Sequence, residues 1–323
     1  MRRLAALLVV ATLVVAGWIA WRLQDRPALD DRPRLASSTA AGPEVAVRFL
    51  GVTSLIIDDG TTTLVVDGFV SRPPLWRTIV GRIAPDPDVV AWALDRVGLV
   101  RADAVFTVHS HYDHAMDAPL VAARTGALLV GSSSTANIAR GLRLPERQIR
   151  VVVPGEPMRF GAFEVVLLES QHFPHGMAMG EVAEPLVPPA RATAWREGGS
   201  YSILVRHELG TLLVQGSAGW KDGALAGRQA DVALLGVAGL GTRDASYTDR
   251  YLQEVVDAVG AALVIPIHWD DFTRPLREPL VAMPRLLDDV TTPLDRITAH
   301  LTARGKRLAF LPAFERIRLL PPP

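Results

Sequence analysis

Residues 109–114 read His109-Ser110-His111-Tyr112-Asp113-His114, three imidazoles and one carboxylate within six residues of a chain that has only eight histidines. Imidazole nitrogen and carboxylate oxygen are the donors that zinc and other borderline divalent ions accept. His109 and His111 stand two apart, so in extended backbone both point the same way and can grip one ion. Asp113 and His114 come after the chain has turned, where they can face a second ion or a water on the first. The run leaves Ala104-Val105-Phe106-Thr107-Val108, an apolar, β-branched stretch that reads as a buried strand. A strand end lets a rigid sheet hold the ligands in place.

Two further histidines occupy the same kind of position. His172 follows Val165-Val166-Leu167-Leu168-Glu169-Ser170, and His268 follows Leu263-Val264-Ile265-Pro266-Ile267. His175 comes three residues after His172 and faces either substrate or solvent. His207 falls in a hairpin turn and His300 in a helix, and both read as ordinary surface residues. Asp67 ends an apolar strand ahead of Gly68; it either steadies a ligand histidine from behind or caps the turn.

The His-x-His-x-Asp-His run resembles the signature of the metallo-β-lactamase fold hydrolases. Upstream, Phe49 to Ile57 and Thr63 to Phe69 resemble that fold's opening hairpin and its Asp-bearing strand. Downstream, Gln171-His172-Phe173 and Val264 to Trp269 resemble the segments with the later metal histidines. The likeness covers roughly residues 45–315, and its flavour is that of the ascorbate-6-phosphate lactonases and N-acyl-phosphatidylethanolamine phospholipases D. The resemblance implies metal ligation by His109, His111, Asp113, His114, His172 and His268. Where the family has Gly-Asp-Thr, with an aspartate bridging two metals, this chain has Gly216-Ser217-Ala218. A hydroxyl is a poorer ligand than a carboxylate and brings no charge to balance two dications. One tight zinc on His109, His111 and His172 is therefore expected, with a second ion weaker or absent; manganese and ferrous iron are the other candidate metals. Three neutral imidazoles leave an ion with net charge and an open position, so its water can ionise to a hydroxide nucleophile near neutral pH. Asp113 would orient that water and exchange a proton, and Ser217 could donate a hydrogen bond.

Those ligands need a scaffold. With 323 residues, 49% hydrophobic and 21% charged, the chain can bury a full core. Thirty-four basic and 34 acidic residues balance, which gives no footing for nucleic acid as a partner. The chain has no cysteine, which excludes disulfides, thiolate ligands and a cysteine nucleophile. Strands are expected at 45–50, 53–58, 62–67, 103–108, 127–130, 149–153, 163–169, 201–206, 211–215, 230–235, 262–267, 308–311 and 317–320. Helices are expected at 86–97, 117–124, 134–143, 247–259, 277–288 and 292–304. This is an α/β pattern; the resemblance makes it an αββα sandwich over residues 45–320.

Ahead of that domain, Met1-Arg2-Arg3 precedes a charge-free stretch from Leu4 to Trp21. Eighteen helical residues span about 27 Å, close to the ~30 Å hydrocarbon core of a bilayer. Residues 1–22 are read as a transmembrane anchor with a cytoplasmic N-terminus and an extracytoplasmic catalytic domain. The competing reading is a cleaved signal peptide that leaves a secreted or periplasmic enzyme. Residues 23–44, rich in charge, proline and small polar residues, are read as a linker. The expectation is a membrane-anchored zinc hydrolase acting on a phosphodiester, lactone or related ester or amide, small or lipid-derived. The rival is a metal-binding or scaffold protein that has lost catalysis, with Ser217 as its trace. Oligomeric state is not legible.

Overall fold

Val45–Phe49 (β1), Leu55–Asp58 (β2) and Thr63–Val66 (β3) pair as an antiparallel meander. Ala104–Phe106 (β4), Leu128–Gly131 (β5) and Ile149–Val151 (β6) extend it in parallel. These strands belong to a computed structural model that describes residues 2–37 and 42–322, and not the side chains of residues 2–9 and 16. Pro157–Phe160 (β7), Phe163–Ser170 (β8), Ser200–His207 (β9) and Gly210–Gln215 (β10) then start a second sheet, again antiparallel. Val232–Gly236 (β11), Leu263–Ile267 (β12) and Arg307–Leu308 (β13) continue it in parallel. Ile317–Leu320 (β14) returns to the first sheet beside β1. Each sheet has seven strands.

The helices are Arg2–Arg22 (α1), Leu75–Val80 (α2), Pro87–Val97 (α3), Tyr112–Ala115 (α4), Ala118–Thr125 (α5), Ser133–Gly141 (α6), Ala245–Tyr251 (α7) and Thr291–Thr302 (α8). Side-chain alternation along the strands builds the layers. Val45, Val47, Leu55, Ile57 and Phe106 face the second sheet and meet Val165, Leu167, Ile203 and Val205 in one core. Ile56, Val65, Val105 and Leu129 point the other way, onto Val90 and Leu94 of α3 and Val121 and Ala122 of α5. The order is therefore helix, sheet, sheet, helix. α3 starts where expected: Asp86 accepts from the Asp88 and Val89 amides, Pro87 opens the first turn, and Gly98 closes the helix at φ +67°.

Three local expectations change. Residues 277–288 form turns and an isolated bridge, not a helix. Pro279 and Pro284 interrupt that stretch and Pro275 precedes it, each removing a backbone donor. The helix from 245 widens to a π-helical turn over Leu252–Asp257. α2 and β7 were not expected; α2 has no buried residue to mark its face, and β7 is an edge strand opening on a proline.

The Leu4–Trp21 stretch lies within α1, and Val10, Leu13, Val14, Trp18 and Trp21 are exposed. Among the described residues no helix is long and apolar enough to cross a membrane. The stretch read as a linker is docked over part of its length. Arg26 Nη1 pairs with Asp271 Oδ2 at 2.7 Å, Leu29 is buried, and Phe310 N–H donates to the Pro33 carbonyl. Residues 38–41 of it lie outside the described residues.

Asp117, ahead of α5, leaves that helix uncapped. Its buried carboxylate accepts instead from Val70 N, Ser71 N and Ser71 Oγ, each at 2.7 Å, and so ties the loop after β3 to α5. Burial pushes its pKa up from 3.8 to about 6, against those hydrogen bonds. A folded-state pKa above the unfolded one gives a stability contribution that is full below pH 3.8 and lost as pH rises through about 6. Asp117→Asn should therefore flatten the pH dependence of unfolding free energy between those values by roughly 3 kcal/mol in metal-free protein. Urea titrations at several pH values read this; parallel curves for both proteins would contradict it.

Candidate metal centre

The carboxyl ends of strands from both sheets meet at one edge, the place where open α/β sheets bind ligands. β4 delivers residues 109–114, with His111 at the start of α4 and Asp113 and His114 within it. β3 delivers Asp67, β8 delivers His172, β10 delivers Ser217 and β12 delivers His268. Among the described residues this convergence makes two groups of donors. His109, His111 and His172 form the first, Asp113, His114 and His268 the second, and in each the donor atoms lie within 4.8 Å of one another.

In the first group the ring centroids lie 4.5 Å (His109–His172), 4.8 Å (His109–His111) and 4.7 Å (His111–His172) apart. In the second, His268 Nε2 stands 3.3 Å from Asp113 Oδ2 and 3.3 Å from His114 Nε2. The His109 and His114 rings, 3.8 Å apart, join the two groups.

The remaining ring nitrogens show which atoms are aimed inward. His111 Nε2 lies 3.2 Å from the Ala178 carbonyl, and His172 Nδ1 lies 2.6 Å from the Phe173 carbonyl. Each therefore donates to a carbonyl and keeps its other nitrogen as a lone pair. His114 Nδ1 lies 2.7 Å from Asp67 Oδ2 and 2.8 Å from Thr53 Oγ1, which leaves Nε2 to the second group. Asp67 is wholly buried, and its Oδ1 accepts from Val108 N at 2.9 Å. Both nitrogens of His109 and Nδ1 of His268 are buried without a hydrogen-bond partner. Such orphaned buried atoms are rare unless they have another ligand.

Charge agrees with cation binding. Burial, and then the neighbouring histidines, hold His109 well below the usual imidazole range. Burial also lowers His111 to about 4, against the pull of Asp113, and His172 to about 3. These imidazoles are neutral near pH 7 and offer lone pairs. For Asp113, burial acts upward, but His114 and His268 outweigh it and keep the carboxyl below its ordinary range. His114 moves the other way: burial opposes its charge, and Asp113 and Asp67 together raise it. The donor set suits divalent cations, with three neutral imidazoles on one side and a carboxylate with two imidazoles on the other.

His175 and Ser217 supply no atom to either group. His175 is exposed at the rim, its ring 4.6 Å from that of His172 and 5.6 Å from that of His111. Ser217 Oγ accepts from Phe173 N at 2.9 Å, so its hydroxyl holds the segment carrying His172. Further contacts brace the same strand end. Gln215 Nε2 donates to the carbonyls of Ser217 (3.1 Å) and Gly219 (2.7 Å), and Tyr247 Oη donates to Ala218 O at 2.8 Å. A Cβ on Gly219 would lie 2.4 Å from Gln171 O, so only glycine lets the two segments approach this closely. Thr53 and the Ala178 carbonyl were missed in the sequence. Thr53 sits in the opening hairpin with nothing in its type to mark a role, Ala178 belongs to no motif, and only the fold brings them to the histidines.

Five of the seven described non-glycine residues at positive φ surround this edge: Val52, Asp67, Arg72, Ala178 and His268. Such conformations are costly and persist where surrounding contacts impose them, commonly at functional sites.

The architecture and donor groups define a metallo-β-lactamase-type fold with a candidate divalent metal centre. The family model described as the Beta-lactamase superfamily domain matches residues 46–268, and the chain belongs to that superfamily. No curated protein matches it. Among solved structures it is similar to Igni18, a metallo hydrolase from the archaeon Ignicoccus hospitalis KIN4/I, at 13% identity and TM-score 0.52, covering 85% of this chain and 98% of that one. A possible metal-dependent hydrolase from Veillonella parvula DSM 2008 matches at 14% identity and TM-score 0.53, covering 86% of this chain and 100% of that one. CmlA, a diiron β-hydroxylase from Streptomyces venezuelae, matches at 15% identity and TM-score 0.50, covering 86% of this chain and 55% of that one. At these identities the likeness is one of fold.

Proposed function

We propose that the chain is a membrane-anchored zinc hydrolase that cleaves a phosphodiester, a lactone or a related ester or amide in a small or lipid-derived substrate. One observation carries the reading: two donor groups meet at a single sheet edge, and His109 in the first has no other partner for either nitrogen. His109, His111 and His172 would hold a divalent ion, which would supply Lewis acidity toward a carbonyl or phosphoryl oxygen and make water a stronger acid. Asp113 stays ionised and, at the meeting of the groups, would orient water and take up its proton on the carboxylate. Asp67 keeps the His114 proton on Nδ1. His175 faces substrate from the rim. The loop from Glu181 to Arg196 sets specificity: the Val182 and Leu186 amides donate to Ser134 Oγ and Asn137 O, while Val187 is exposed.

Anchoring, with the catalytic domain outside the cell membrane, rests on the charge-free Leu4–Trp21 sequence alone, since no helix among the described residues is long and apolar enough to cross a membrane. Cleavage of that stretch would instead release a secreted or periplasmic enzyme, which mass spectrometry of the expressed protein separates from the anchored form.

The second group lacks the bridging carboxylate expected from the resemblance, so its ion is the more labile. Protein purified without chelator should hold one tight equivalent of zinc and lose a second on dialysis. Two equally tight equivalents would refute the difference. The protein should also turn over a chromogenic phosphodiester or lactone, with chelator abolishing the activity. Metal binding with no turnover across such a panel would favour the scaffold reading suggested by Ser217.

A further inference from the structure

Behind His268 lies a buried ion pair outside both donor groups. Arg72 Nη2 donates to Asp270 Oδ2 at 2.6 Å, and both side chains are almost fully enclosed. The same guanidinium reaches Leu50 O at 3.2 Å and Asp271 O at 3.3 Å. Asp270 uses its other oxygen, Oδ1, to accept from Val52 N at 2.7 Å. The Val52 carbonyl in turn accepts from His268 N at 2.6 Å. Arg72, Asp270, Val52 and His268, from three separate segments of the sequence, thus form one chain of contacts that ends on a histidine of the second group.

Three of the four adopt left-handed backbone: Val52 at φ 54°, Arg72 at 46° and His268 at 56°. A β-branched residue such as Val52 resists this conformation strongly. His268 follows directly on the extended strand β12, and its left-handed φ sets the direction in which its side chain leaves. Gly51 completes the arrangement. A Cβ there would stand 1.8 Å from Arg72 Nη2 and 2.7 Å from Asp270 Oδ2, so the guanidinium occupies space that any other residue would fill.

We infer that Arg72 and Asp270 are positioning residues for the second donor group, acting through Val52 to aim His268 Nε2 at Asp113 and His114. This rests on the metal-centre reading above. The pair touches neither donor group directly, and its contacts account for the backbone of a ligand on the other side of the strand end. A merely structural pair would hold the whole domain together; a positioning pair affects one ion more than the other.

Calorimetric titration of zinc into metal-stripped full-length protein separates the two. In Asp270→Asn, a near-isosteric change that removes the charge partner, the second equivalent should bind about 10- to 100-fold more weakly, with the first within about twofold of wild type. Gly51→Ala, which displaces the guanidinium but keeps both charges, should act the same way if the first variant fails to fold. Near-UV circular dichroism establishes folding in each case. Equal weakening of both equivalents, or an unchanged second equivalent in a folded variant, would overturn the inference. So would a wild type that binds only one equivalent. A wild type that binds none defeats the metal-centre reading itself.

Discussion

His109→Ala should remove the tight equivalent of zinc and lower kcat/KM by at least about a thousandfold. His109 is the residue whose loss no neighbour can mask. It is 1% exposed, both ring nitrogens lack a partner, and its ring lies 3.8 Å from that of His114, where the two donor groups meet. Alanine leaves two imidazoles where three converge, and two cannot close a tight site. The Lewis-acid contribution lost with the ion is several kcal/mol, and about 4 kcal/mol corresponds to that thousandfold. His207→Ala is the control. His207 pairs with Asp59 at 3.6 Å at the far end of β9, so its removal should leave zinc content and rate unchanged. Elemental analysis and steady-state kinetics on the two variants read the difference. Full zinc retention in His109→Ala would remove the basis of the hydrolytic mechanism.

The candidate donors could be picked out because each histidine follows a short apolar strand and strands at a sheet edge converge, with the choice of His172 over His175 resting on the resemblance. Strand position singled out residues 109–114, and the resemblance added His172 and His268 to the set. The two-sheet layering was legible through the resemblance more than through periodicity, because β2, β4 and β12 are buried on both faces and do not alternate in polarity. What was not legible depends on backbone. The Ala178 carbonyl at His111, the Phe173 amide on Ser217 and the left-handed turn at His268 leave no mark in residue type. Ser217 shows the limit well. The sequence marks it as a substitute for a bridging carboxylate, whereas the fold has its hydroxyl bonded to the neighbouring chain segment. The stretch 277–288 failed for another reason: its leucines and valine suggest a helix, but three prolines between 275 and 284 prevent one.

Asp113→Asn should separate chemistry from assembly. The first donor group contains no atom of Asp113, so its zinc should remain. The second loses its one carboxylate, leaving only the imidazoles of His114 and His268, and its ion should be lost at ordinary zinc concentrations. Asparagine keeps the shape but cannot accept a proton from water, and positioned proton transfer contributes about 10²- to 10⁴-fold. A fall in kcat of that size, with one tight equivalent still bound, is the expected outcome. Because the wild-type carboxyl is held below its usual range by His114 and His268, it is already ionised through the neutral region. The rate deficit of the variant should therefore be nearly constant from pH 6 to 8, and not grow with pH. Loss of the tight equivalent along with the rate would show that Asp113 organises the first group as well, and would tie the two groups into one cooperative centre.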